Sequence, residues 1–189
     1  MRNPLNSKKA LSTVVTTLII LVVSVLLAGV VTMYAINITS TRTQQEDLRI
    51  TKQKVWVFAN GTAYAAFSID NVGGRDVIID KIQVRGVDTD WSSVHYLRRS
   101  SSFSTSLNPP TSSYFTSWSS FTYSTGESAG SFSTASSDLP LSSGDTMVIY
   151  IKDPDSIGLN DIGTTVGITV FTENAQYYVE CNVETSVTA

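Results

Sequence analysis

Residues 10–41 read ALSTVVTTLIILVVSVLLAGVVTMYAINITST, a stretch without a single charged side chain. Inside it, residues 14–36 form a nearly continuous run of Val, Leu, Ile, Ala and Thr. A membrane span needs roughly 20 apolar residues, and this run exceeds that. Wound at about 1.5 Å per residue, residues 11–38 extend roughly 42 Å, against a hydrocarbon core of about 30 Å. The stretch is therefore expected to be one apolar helix that crosses a membrane and continues beyond it.

The flanks orient this helix. Arg2, Lys8 and Lys9 precede it closely. Basic residues stay on the cytoplasmic side, so everything after about Thr39 is expected outside the cell. A cleaved secretory signal fits poorly, because its apolar region is only about 7–15 residues long and ends in a small-x-small site. The small residues near the end of this run, Ala28 and Ala35, are preceded by bulky ones. A plain signal anchor fits the composition equally well.

The helix also carries a packing pattern. Ser24, Ala28 and Thr32 are spaced four apart and share a face, which Gly29 broadens. Small residues at that spacing let helices approach closely in lipid or in a dry core. Thr13, Thr16 and Thr17 are expected to return their hydroxyls to carbonyls one turn back. Residues 39–54 then turn polar, with Glu46 and Asp47 followed by Arg49, Lys52 and Lys54. They read as an exposed helical extension or stalk, so the helical region is taken as residues 11–54.

From Val55 the pattern alternates and turn signals recur. Strands are expected at residues 55–59 and 62–70 around the Asn60-Gly61 hairpin turn, then at 76–84 after Gly73-Gly74. Later strands are expected at 146–152, 165–172 and 176–187. Short strands with frequent turns point to an antiparallel sandwich over residues 55–189. The fold class is then α+β. Residues 100–137 stand apart: more than half are Ser or Thr, the only charge is Glu127, and aromatics recur at Phe103, Tyr114, Phe115, Trp118, Phe121, Tyr123 and Phe132. A disordered stalk would be poor in aromatics. The segment reads as an inserted, partly strand-forming loop, with hydroxyls toward solvent and aromatics packed on the sheet or on a neighbouring subunit.

Other chemistry is sparse. The net charge is −3 and the basic residues do not cluster, which disfavours a nucleic-acid partner. One cysteine, Cys181, excludes an intrachain disulfide and reads as a small buried side chain. The one histidine, His95, lies between Val94 and Tyr96 in a loop-like region, with no cluster to complete a metal site. No nucleophile elbow supports a catalytic triad. Asp153-Pro154-Asp155 with Asn160-Asp161 offers oxygen ligands, but not at EF-hand spacing, and Asx turns explain these residues as well. Catalytic residues, metal and cofactor are thus expected to be none. Two glycosylation sequons begin at Asn37 and Asn60; the second, on a turn, is the more accessible.

The junction Ser7-Lys8-Lys9-Ala10-Leu11-Ser12 resembles the class III signal peptide of archaeal type IV pilins and archaellins. In that family a basic residue, then Gly or Ala, then an apolar residue and a small or apolar one mark the cut of a prepilin peptidase. Lys9, Ala10, Leu11 and Ser12 match in order, with Lys8 before them. The resemblance implies a leader of residues 1–10 and a mature helix beginning at Leu11. It implies helical homo-oligomers built through the N-terminal helices, after a membrane-bound precursor has met the peptidase and an assembly machinery. A structural pilus subunit for surface adhesion is the implied function. An archaellin, or a membrane-anchored binding module with a pilin-like leader, is the alternative. The stretch 67–74 followed by 77–82 also looks like the immunoglobulin-like head of archaeal pilins. Bacterial pilins usually carry a glutamate at the fifth mature position, where this chain has Val15, so that contact is not implied.

Overall fold

The structure, a computed structural model, describes residues 4–43 and 45–186, with side chains at 11–41 and 45–186. The chain divides into two units, residues 1–43 and 44–189.

The first unit is one helix, α1 (Pro4–Thr43). Its proline sits at the first helical position, where no backbone donor is missed. Every side chain from Leu11 to Thr41 is exposed. Its hydroxyls are spent inside the helix: Thr16 donates to the Ser12 carbonyl at 2.9 Å, Thr17 to Val14 at 2.9 Å, Ser24 to Ile20 at 2.7 Å and Thr32 to Ala28 at 2.8 Å. With these hydroxyls returned to the helix's own carbonyls, this stretch is suited to a water-free medium. Leu11–Thr41, 31 residues, is long and apolar enough to cross a membrane.

The second unit is a head of ten strands: β1 (Leu48–Phe58), β2 (Ala63–Asn71), β3 (Val77–Val84), β4 (Val87–Asp88), β5 (Val94–Arg99), β6 (Ser133–Thr134), β7 (Leu139–Leu141), β8 (Thr146–Lys152), β9 (Thr165–Thr172) and β10 (Gln176–Ser186). They form one curled sheet in the order β4-β3-β9-β10-β1-β2-β8-β5-β6, with β7 beside β3. The pairings are antiparallel except between β1 and β10, which run parallel. Because the sheet curls, both of its halves contribute to one core, with Val57, Phe67, Ile69, Ile149 and Ile151 meeting Ile79, Ile82, Ile168 and Val170. The edges are blunt. β4, β6 and β7 are two or three residues long, which limits stray strand pairing.

The expected stalk is corrected here. α1 ends at Thr43, and Leu48 to Lys54 belong to β1. Leu48 and Ile50 alternate with charged neighbours, a pattern that long-range pairing with β2 turns into strand: Leu48 faces Asn71 and Ile50 faces Ile69. A bulge between Thr51 and Lys54, with Lys52 at φ 57°, then shifts the alternation. β5 is a second correction, since His95 lies in a strand and not a loop. The Asn60-Gly61 turn and the strands at 146–152 and 165–172 stand as read.

Since β1 begins at Leu48, a head cut at Gln45 should fold as a monomeric β protein, whereas a head cut at Val55 should not be comparably stable. The shorter fragment loses the buried Leu48, worth ~2 kcal/mol, together with the first half of the β1–β2 ladder. Urea unfolding followed by circular dichroism on the two fragments checks this. Equal stability would show that the first half of β1 contributes nothing to the head.

Candidate functional site

Two surfaces concentrate the unusual chemistry: the bare apolar helix and the hydroxyl-rich cover of the head. On α1, Ser24, Ala28 and Thr32 form one strip, and nothing lies within 4 Å of a Cβ built on Gly29. With Ser24 and Thr32 bonded back to Ile20 and Ala28, this strip presents small surfaces rather than free donors. Leu11 and Ser12 lie in the same helix, N-terminal to the strip. The side chains of Lys8, Lys9 and Ala10, the rest of the expected peptidase junction, lie outside the described ones. Asn37 is also helical, and the hydroxyl of its sequon partner Thr39 donates to Ala35. Asn60 is different. It is exposed on the β1–β2 turn, its Oδ1 accepts the Thr62 N–H at 3.1 Å, and Gly61 takes φ 93°, a backbone shape that favours glycine.

The head has a second apolar core that sequence reading reached only in outline. β2 is buried on both faces: Ala65 and Phe67 point into the first core region, while Tyr64 belongs with Trp56, Phe58 and Tyr150 on the other face. Residues 100–137 cover that other face. Their buried aromatics Phe103, Phe115, Trp118, Phe121, Tyr123 and Phe132 settle onto it, and Tyr114 stays exposed. The rings pack mainly edge-on, as between Phe121 and Tyr150 at 5.2 Å, or Phe115 and Trp118 at 4.9 Å. Two buried phenols tie the cover to the sheet: Tyr150 donates to Asn108 at 2.8 Å, and Tyr64 to Ser113 at 3.1 Å. Burial raises both phenols above their ordinary range, so they remain neutral donors. At the other end of the cover Phe103 lies between Lys52, 4.3 Å from its ring, and Arg99, which is ion-paired with Glu127 at 2.8 Å. The expectation of aromatics on the sheet holds. The segment itself is largely irregular, with the short helical turn Trp118–Ser120 and the two-residue β6.

His95 joins the two layers. Its ring stacks on Trp118 at 4.1 Å and 15°, and its Nδ1 meets the Thr134 hydroxyl at 3.1 Å. Burial, with Lys152 adding repulsion, pushes its pKa down to about 4. Cys181 is half-buried beside the core, where burial and the neighbouring Glu184 push its thiol up to about 11. Among the described residues no group of three or more His, Cys, Asp or Glu is arranged to hold a metal. Asp153 and Asp155 line a cleft of about 280 Å³ with Asp88, Asp90 and Lys152. Asp161 instead accepts the Gly158 N–H and pairs with Arg85, contacts that hold its carboxyl below the usual range.

No protein-family model and no curated protein sequence matches the chain. Among solved structures it is similar to the alkylpurine DNA glycosylase AlkC of Pseudomonas fluorescens bound to DNA containing an abasic site analog. That likeness has 11% identity and a TM-score of 0.30, over 72% of this chain and 30% of that one. A second likeness is to the beta-glucosidase of Listeria innocua in complex with glucose, at 8% identity and a TM-score of 0.26, over 74% of this chain and 16% of that one. This chain therefore spans less than a third of either protein, and likenesses this weak carry over neither fold nor function.

The stacked His95 makes a pH prediction. Its pKa falls from 6.5 in the unfolded chain to about 4 in the fold, so the unfolded state binds the extra proton between those values. The His95 contribution to stability is complete above pH 6.5 and is lost as pH falls toward 4. Its size is on the order of 1–3 kcal/mol. Urea unfolding at pH 7 and pH 4.5 should show this loss in the native chain, and His95→Phe should reduce it. An unchanged loss in the variant would place the acid sensitivity elsewhere.

Proposed function

We propose that the chain is a structural subunit of an extracellular filament of the archaeal type IV pilus kind, serving surface adhesion, with α1 in the filament core and the head outside. The observation that carries this is the mismatch of α1. Leu11–Thr41 is an exposed, uncharged helix of 31 residues, about 46 Å long, against a hydrocarbon core of about 30 Å. Its excess is still apolar, with Val31, Met33, Ile36 and Ile38 all exposed. A signal anchor needs no such excess. A filament uses the whole length, because copies of α1 cover one another.

The junction from Lys8 to Ser12 agrees with this reading. A cut after Ala10 removes Arg2, Lys8 and Lys9, whose burial in a dry core would cost several kcal/mol per ion. The prepilin peptidase and an assembly machinery are then the partners of the membrane-bound precursor, and other copies of the chain are the partners of the mature subunit. The curled sheet is read as a variant of the immunoglobulin-like pilin head, with its halves folded over one core as in a sandwich. Asn60 is the expected glycan acceptor. Asn37, fixed in α1, is not. No role in catalysis, metal binding or nucleic-acid binding is assigned. The exposed hydroxyls of residues 100–137 belong to the surface the filament shows its surroundings.

Two measurements test the reading. Mass spectrometry of the native protein should give Leu11 as its first residue, and retention of residues 1–10 in surface material would sink it. Ala28→Leu should overpack the helix contact at a cost of about 1–3 kcal/mol per subunit. Filaments should then thin or vanish while membrane levels of the protein, measured by immunoblot, stay normal. A lone anchor would tolerate the change, since one more aliphatic side chain in lipid is harmless. Normal filaments would remove the strip Ser24, Ala28, Gly29 and Thr32 from the assembly face.

A further inference from the structure

The first and last strands of the head, β1 and β10, are neighbours and run parallel, with Val55 opposite Val183 and Phe58 opposite Ser186. On its other side β1 pairs with β2 from Leu48 to Val57. β1 is also the strand through which the chain enters the head from α1.

Residues 45–47 lengthen this ladder as a strap. The Asp47 carbonyl accepts the Val72 and Gly73 N–H groups, both at 3.0 Å, and the Gln45 carbonyl accepts Gly74 N–H at 3.2 Å. The Glu46 carboxylate receives the Thr172 hydroxyl, and the Asn174 amide at 3.3 Å, from the β9–β10 turn on the other side of β1. The approach is close enough to require glycine. A Cβ on Gly73 would stand 2.6 Å from Asp47 N and 2.7 Å from Gln45 O. Beside the bulge, Gln53 Nε2 donates to the Glu180 carbonyl at 3.1 Å, and Lys54 pairs with Glu184. β1 is thus tied on both sides.

Bonds between strands lie across the strand axis in the antiparallel β1–β2 pair and cross it at a slant in the parallel β1–β10 pair. A pull along β1 toward α1 therefore strains the β2 bonds, the β10 bonds and the strap together. A pull that parts β1 from β10 at one end opens them one after another. We propose that β1 and the strap at residues 45–47 form a mechanical clamp, which keeps the head folded under tension arriving through the chain from α1. The clamp is a property of the head alone and stands whether or not the chain builds filaments.

The test is single-molecule force spectroscopy on the full chain in detergent micelles. Handles at Gln44 and the C-terminus pull β1 and β10 lengthwise in opposite directions. Handles at Asn60 and the C-terminus pull the same two strands apart crosswise, because Phe58 and Ser186 are in register at one end. The lengthwise rupture force should exceed the crosswise one. Gly73→Ala and Glu46→Gln should each lower the lengthwise force and leave the crosswise force unchanged. If circular dichroism shows that Gly73→Ala does not fold, Glu46→Gln decides. Equal forces in the two directions, or a folded strap variant with an unchanged lengthwise force, would overturn the proposal.

Discussion

An apolar helix exposed along its described length is the constraint around which the rest is organised. From Leu11 to Thr41 nothing on α1 is buried and nothing is charged. Its hydroxyls do not relieve the problem, because those of Thr16, Thr17, Ser24 and Thr32 are turned back onto the helix. Such a surface is stable only in lipid or against other apolar surface. Its length exceeds what lipid alone covers. The head answers the opposite requirement: it buries its own apolar surface twice over, blunts its sheet edges and shows mostly polar groups outside.

The double burial explains the odd composition of residues 100–137. A curled sheet with apolar residues on both faces of β2 and β8 needs a cover on the outer face. The aromatics of the segment are that cover, and Trp118 is its centre, touching His95, Tyr64, Phe115, Phe121, Phe132 and Tyr150. The hydroxyls between the aromatics fall on the solvent side, where many residues, among them Ser104, Thr116, Ser119 and Ser131, are exposed. A stretch that stands apart by its Ser, Thr and aromatic residues is therefore a second core with a polar exterior. Its strength comes from ring packing and buried phenol hydrogen bonds, not from regular structure.

Much of this was legible in residue order, and the misses have physical causes. α1 announces itself by length and absence of charge. β8 and β9 are apolar runs bounded by turn residues, and Asn60-Gly61 marks its hairpin. The first half of β1 was hidden because Glu46, Asp47, Arg49, Lys52 and Lys54 suit a solvated helix as well as a strand, and only distant β2 decides between them. β5 was hidden because its apolar Val94 and Leu97 are interrupted by His95, Arg98 and Arg99, side chains that have partners in the cover and beyond. The strap on Gly73 could not be read locally, since Gly73-Gly74 looks like an ordinary turn until residues 45–47 are laid against it. For the candidate site, the strip on α1 was readable from spacing, whereas the role of His95 depended on Trp118, twenty-three positions away in sequence.

The central claim is that copies of α1 cover one another outside the membrane. Electron cryomicroscopy of material sheared from the surface of cells that make the protein addresses it directly. The account predicts a filament whose axial density is a bundle of helices about 46 Å long, corresponding to Leu11–Thr41, with β-rich heads arrayed outside. Surface material free of filaments, with the chain recovered only in membrane vesicles as separate subunits, would contradict it.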